Sequence, residues 1–442
     1  PELINLDIDT MNYDNVGVSN PEGELLFFSN GTEVYNKNNQ VMINGLLNKI
    51  NANITDYVFF SSVIIPHRSN KNIYYLVQSH HKSKLPENRH NKYLTIFTID
   101  MQKDNGNGMT VRYDTIFTEK PVGMITTALH NNNRDVWLIV IADDEINDYE
   151  FTIYSFLVDV NGIGKSPVIN DIQINKREND DYMENGLFCY NNYKKVVISN
   201  NYNFIGFKFL QQNSKFQNGF QSIIFLFKYD NKTGKVFDKI EFSDESPTSQ
   251  DAEQGMHISF SPNGKYLYTS LINRYDISVW DTITIKNSKT LLYNFSFKHR
   301  NANSFQLGPD NKIYLKYKKI FNPESFVNIG IIHNPNENNI NDIFFENIAF
   351  STPWRFSLSL DQFPQPVVPR IHYSAEITGD TVYCAGDTLH LRAGAIPDTM
   401  EIDSVIWSHA PLHNDTLLTL GPLESYDEGY YRVTVYYRGI PR

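Results

Sequence analysis

Six times along the chain, a cluster of turn-forming residues is followed by a short run of aromatic and β-branched residues. The runs begin at Gly23 (GELLFFSN), Lys71 (KNIYYLVQ), Arg134 (RDVWLIVI), Lys194 (KKVVIS), Gly264 (GKYLYTS) and Asn311 (NKIYLKY). Aligned on Leu25, Ile73, Val136, Val196, Tyr266 and Ile313, they recur at intervals of roughly 50 to 70 residues, about the length of a unit of four short strands. The clusters before them, such as Asn20-Pro21-Glu22-Gly23, Asn131-Asn132-Asn133, Asn191-Asn192 and Ser261-Pro262-Asn263-Gly264, tolerate left-handed or fixed backbone angles and so close hairpins. A hairpin repeated at this period is the signature of a β-propeller. Units are expected over 12–50, 59–118, 121–174, 184–243, 253–298 and 301–350. Six blades is the count. Seven stays open, because the residues left before Leu25 and after Ile313 fill a further interval.

A chain of 442 residues exceeds one compact core, so at least two domains are expected. A formal charge of −11 argues against a nucleic-acid partner, since phosphate binding needs clustered Lys and Arg. No apolar run approaches a membrane span. Cys189 and Cys384 are too few for a disulfide scaffold and lack zinc-ligand spacing. Cys189, inside the apolar stretch Leu187–Tyr190, is expected as a buried free thiol that Cys384 does not reach.

Asparagine is dense up to Asn347 and then nearly vanishes, and Phe363-Pro-Gln-Pro-Val-Val-Pro369 falls at the change. A propeller over 1–362, a stiff linker over 363–370 and a second module over 371–442 follow. The tail reads as a β-sandwich with strands at Gly386–Arg392, Ser404–Ser408 and Tyr430–Tyr437. Trp407 stands where an immunoglobulin-like core has its tryptophan, and Asp427-Glu-Gly-Tyr-Tyr431 resembles a tyrosine corner. The five residues after Tyr437 suffice for a turn but not for a last strand, so this module is expected to be truncated.

The segment Ser19–Met42 resembles the first blade of propellers in large exported proteins of Bacteroidetes. Ile64-Ile-Pro66 with Asn72-Ile-Tyr-Tyr75, Ala128-Leu-His-Asn131 with Asp135-Val-Trp137, Phe260–Tyr268, Gln306–Tyr314 and Ile329–Pro335 match the same pattern in order. Val382-Tyr-Cys-Ala-Gly-Asp-Thr-Leu389 is similar to the opening of the immunoglobulin-like or PKD-like modules that follow such propellers. The resemblance covers about the first 360 residues and implies a fragment of a larger type IX secretion substrate, of the gliding-motility-associated kind, at the cell surface or outside it. It also implies export through the periplasm, continuation beyond Arg442, and other surface or secretion-machinery proteins as partners. Separately, His257–Thr282 is similar to a WD-repeat blade.

Residues able to do chemistry are sparse. Ser259-Phe-Ser-Pro-Asn-Gly264 lacks the aspartate and tryptophan of a sialidase turn. Asp143-Asp144-Glu145 with Asp148 lacks the interleaved spacing of a calcium loop. His67, His80, His81, His130 and His257 are not spaced as metal ligands. Asn105-Gly-Asn-Gly108 and Asn161-Gly-Ile-Gly164 are hairpin turns without the helix and lysine of a phosphate loop. No catalytic residue, cofactor or metal site is therefore expected.

One pattern rises above composition. All eight Asp-Ser/Thr pairs are followed by a hydrophobic residue, making eight triplets where composition alone gives roughly one or two. The hydroxyl residues are Thr10, Thr115, Thr282, Thr381, Thr388, Thr399, Ser404 and Thr416. The triplet is similar to the O-glycosylation signal of exported Bacteroidetes proteins. A second, compatible reading is that Asp ends a turn and Thr opens a strand. The functional expectation is a non-catalytic binding, adhesion or scaffold module for an extracellular glycan or protein; the alternative is a carbohydrate-active or lactonase-like enzyme using the mouth of the channel.

Overall fold

The structure, a computed structural model, describes residues 16–20, 24–47, 57–82, 90–120, 122–143, 150–173, 196–212, 220–243, 257–269, 272–293, 304–308, 310–318, 326–353, 374–380, 382–396, 404–408, 415–437 and 440–441. It divides into two compact units, 1–368 and 369–442. The proline-rich stretch lies outside the described residues.

The first unit is a succession of antiparallel meanders. The first comprises β1 (Val16–Ser19), β2 (Leu25–Ser29), β3 (Glu33–Asn36) and β4 (Val41–Leu46); the second β5 (Tyr57–Pro66), β6 (Ile73–Lys82), β7 (His90–Asp100) and β8 (Met109–Phe117). The third has β9 (Val122–Leu129), β10 (Val136–Asp143), β11 (Glu150–Asp159) and an interrupted outer strand, β12 (Gly162–Ile163) and β13 (Val168–Gln173). Then come β14 (Val197–Ile198), β15 (Phe204–Gln212), β16 (Phe220–Asp230) and β17 (Lys235–Ser243); β18 (Ile258–Phe260), β19 (Tyr266–Thr269), β20 (Asn273–Asp276) and β21 (Thr290–Leu291); and β22 (Ser304–Leu307), β23 (Ile313–Lys318), β24 (Phe326–His333) and β25 (Phe344–Pro353). The first two meanders share one sheet through a parallel bridge, Ile43 to Met109, and β1 also lies against β5, so these eight strands nearly close on themselves.

Burial follows position in the meander. Along β16, residues 222–227 are buried without a break, because neighbouring sheets cover both faces. The outer strand β13 alternates half-buried and exposed residues along its whole length. Trp137, Ile139 and Phe151 of the third sheet pack with Phe207, Phe225 and Phe227 of the fourth, and Phe151 meets Phe207 edge-on at 5.5 Å. Each such ring contributes about 1.5–3 kcal/mol of burial. Further clusters join the first meander to the second, the fourth to the fifth and the fifth to the sixth. The innermost strands adjoin in order: β1 to β5, β5 to β9, β9 to β14, β14 to β18 and β18 to β22. Wedge-packed meanders whose first strands line one axis make this unit propeller-like.

One expected copy is corrected. The run from Lys194 is expected as the strand after the hairpin turn, yet Val197–Ile198 is the strand before it. The turn is Ser199–Asn203, and β15 is the equivalent of β2, β6, β10, β19 and β23. The asparagines at 191–192 drew the turn too early; those at 200, 201 and 203 form it.

The second unit has two three-stranded sheets, β26 (Ser374–Thr378), β27 (Leu389–Ile396) and β29 (Leu417–Leu420), then β28 (Ser404–Trp407), β30 (Val433–Tyr437) and β31 (Ile440–Pro441). Trp407, Val405, Leu418 and Val435 are fully buried between them, and the Trp407 indole donates to the Asp415 carbonyl at 3.1 Å. The strand expected from Tyr430 starts at Val433. Tyr431 instead donates its hydroxyl back to the Asp427 carbonyl at 2.8 Å.

Candidate functional site

The best-defined surface of the first unit carries the turns that join first to second and third to fourth strands. In each meander the first of these turns is closed by an equivalent backbone bond, from Asn20, His67, His130, Ser199, Ser261 and Gly308 to the carbonyls of Glu24, Ile73, Asp135, Phe204, Tyr266 and Lys312, at 2.8–3.0 Å. The side chain at this position also serves the turn. His67 Nδ1 accepts the N–H groups of Ser69 and Asn70 at 3.1 Å, and His130 Nδ1 accepts that of Asn132 at 3.0 Å. Ser199 and Ser261 accept from Phe204 and Tyr266 at 2.9 Å. With Nδ1 accepting and Nε2 facing the Lys232 carbonyl at 3.1 Å, the His130 ring proton sits on Nε2.

The second set of turns opens on Asn36, Asp100, Asp159, Asp230 and Asp276. Each accepts the N–H two residues on, at 2.7–3.0 Å, which pins the turn with its own side chain.

Aromatic residues near the start of the second strand then bind the second, third and fifth meanders to the next. Trp137 donates its indole N–H to the Asn231 carbonyl at 2.7 Å, and Tyr268 its hydroxyl to that of Pro335 at 2.7 Å. The Tyr75 hydroxyl rests on Gly162, where a Cβ would come within 3.0 Å and the φ of +109° already excludes most side chains. The fourth meander has Gly206 at this place, and the joint runs backwards. Trp280 of the fifth meander stacks on Phe204 at 5.1 Å and donates to the Asp238 carbonyl at 2.9 Å.

The other sequence candidates do not converge. His257 is buried just before β18, and His80 and His81 are adjacent near the end of β6. Asp144, Glu145 and Asp148 lie outside the described residues. Asn105–Gly108 and Asn161–Gly164 are turns, and Ser259–Gly264 runs from β18 into one. Among the described residues no three His, Cys, Asp or Glu side chains gather as metal ligands, and no helix is long and apolar enough to cross a membrane. Cys384 is an exposed free thiol; Cys189 lies outside the described residues.

The Asp-Ser/Thr triplets separate into two groups by their third residue. Ile116, Leu389 and Val405, after Thr115, Thr388 and Ser404, are at most 5% exposed, so there the hydrophobic residue fills a core. Ile283, Val382 and Leu417, after Thr282, Thr381 and Thr416, are 70%, 85% and 46% exposed. Core packing does not account for a hydrophobic residue at those three. The aspartates are used locally. Asp281 accepts the Thr284 N–H at 2.7 Å and caps a short helix, α1 (Thr282–Asn287). Asp387 accepts that of Cys384 at 2.8 Å, and Asp415 that of Leu417 at 3.3 Å. Thr10, Thr381 and Thr399 themselves lie outside the described residues.

No family model and no curated protein sequence matches the chain. Solved structures resemble it only distantly. A protein from Lactobacillus plantarum is 11% identical over 76% of this chain and 95% of its own, at a TM-score of 0.36. A Synechocystis apocarotenoid oxygenase mutant is 11% identical over 74% and 72%, at 0.38. The fission yeast SREBP–SCAP binding domains are 10% identical over 76% and 77%, at 0.37. At such scores these likenesses assign no activity.

Sequence reading missed the joints between meanders. Tyr75, Trp137 and Tyr268 were visible as strand aromatics, but what each tip would meet depends on the next meander's position. Equal spacing from the preceding turn was the signal available.

Proposed function

We propose that this chain is a non-catalytic binding or presenting module of an exported, cell-surface protein, with a six-bladed propeller followed by an immunoglobulin-like sandwich. The carrying observation is how the polar side chains of the turn face are used. His67, His130, Ser199, Ser261 and the five Asx residues hold their own turns, which favours a rigid display platform over acid–base chemistry. The unbroken succession of first strands from β1 to β22 supports six blades. Sheet orders β26-β27-β29 and β28-β30-β31, with the buried Trp407 and the Tyr431 corner, support the sandwich.

Thr282, Thr381 and Thr416 are the favoured O-glycosylation sites, because their exposed third residues are open to a modifying enzyme. Export and a surface partner, protein or glycan, rest on those sites and on the resemblance to exported propellers. The test has two arms. Protein purified from its native host should carry glycan on these three residues in peptide mass spectra; unmodified peptides there would remove the glycosylation reading. The purified chain should bind a surface protein or glycan in an array and leave glycan and lactone substrates unchanged; turnover would remove the binding reading.

A further inference from the structure

We propose that the loop from Leu423 to Tyr431, in the second unit, docks an arginine-bearing segment of another protein. This rests on the binding reading above and gives it a surface and a partner class. The loop is anchored at both ends, since Leu423 and Tyr431 pack against the core around Trp407. Leu423 also exchanges backbone bonds with the turn at 384–387, donating to the Asp387 carbonyl at 2.8 Å and accepting from Gly386 at 2.9 Å. Between the anchors, Glu424 and Asp427 close a turn on each other. The Glu424 N–H donates to the Asp427 carboxylate at 2.8 Å, and the Asp427 N–H to the Glu424 carbonyl at 3.0 Å. The Tyr431 hydroxyl fixes the far side at the Asp427 carbonyl.

The loop is therefore ordered before any partner arrives, yet two of its rings stand in water. Tyr430 is 91% exposed, the highest value for a large hydrophobic residue among those described, and Tyr426 is 77% exposed. Neither ring stacks on another, and neither hydroxyl is hydrogen-bonded among the described residues. The charges beside them select the partner. Asp387, Glu424, Asp427 and Glu428 lie on this loop or on the turn bonded to it, and Arg432 is the only Lys or Arg within 384–391 and 421–432. The Glu428 carboxylate has no ion pair among the described residues. Like charge disfavours both a second copy and a phosphate-bearing partner. A guanidinium instead stacks on a tyrosine face and pairs with carboxylates at the same time.

The test is fluorescence anisotropy of the intact chain with two labelled glycine–serine peptides, one carrying several arginines and the other lysines in their place. The arginine peptide should bind several-fold more tightly. Tyr426→Ala combined with Tyr430→Ala leaves the net charge alone and removes both rings. It should weaken the arginine peptide about tenfold and leave the melting temperature unchanged. Glu428→Gln should weaken it about threefold, whereas Glu376→Gln, on β26 of the same unit, should have no effect. Equal affinity for the two peptides, or indifference to the double tyrosine variant, would overturn the loop as a docking site and leave the binding reading standing. A concentration-dependent dimer abolished by that variant would assign the loop to a second copy and overturn the proposal as well.

Discussion

At the scale of single residues, two joints between meanders are hydrogen bonds from buried aromatic tips to main-chain carbonyls. Tyr268→Phe keeps most of the apolar contact but strands the Pro335 carbonyl, and Trp137→Phe removes the indole bond to the Asn231 carbonyl, which keeps the Asn131 N–H at 3.2 Å. Each should cost about 1–2 kcal/mol in urea unfolding, and the double variant should lose the sum, since the joints share no partner. Asp230 adds a pH dependence. The Thr233 hydroxyl at 2.6 Å, against the opposing pull of burial and with the Lys232 N–H assisting, holds its carboxyl below the usual value. A depressed carboxylate stabilises the fold above the ordinary range near pH ~4 and loses that contribution as pH falls through the lowered value. The turn it pins presents the Asn231 and Lys232 carbonyls, so acidification should loosen the contact with Trp137 and His130. Trp137 emission followed against pH should show this, and Thr233→Val should move the change to higher pH.

At the scale of elements, strands were legible wherever turn chemistry and apolar runs agreed, as at Tyr93–Ile99 and Ser222–Tyr229. They were misplaced where asparagines occur on both sides of a strand. Val197–Ile198 is too short to show alternation, so the turn bonds of Ser199, and not a strand pattern, reveal which cluster turns the chain. The triplets show the same limit: spacing cannot tell Ile283, at 70% exposed, from Val405, fully buried. Gly162 gives a test at this scale. Gly162→Ala should cost about 1–2 kcal/mol through its backbone angle and the Tyr75 contact. Adding Tyr75→Phe should recover only the contact part.

For the whole molecule, the change in asparagine density marked two modules, and the structure divides into two compact units at 368/369. Each unit has its own core, so damage should stay local. Trp407→Ala removes the largest fully buried side chain of the second unit and should cost that unit about 3–5 kcal/mol. In calorimetry one transition should fall in temperature while that of residues 1–368 stays in place; a single shifted transition would show the units unfolding together. The joints within the first unit bear on its history. Because Trp137 and Tyr268 address carbonyls, any residue with a trans peptide can stand at Asn231 or Pro335 without changing the bond. A neighbour can thus drift, or be exchanged by recombination, with no matching change across the seam, which lets six such dissimilar sequences share one scaffold.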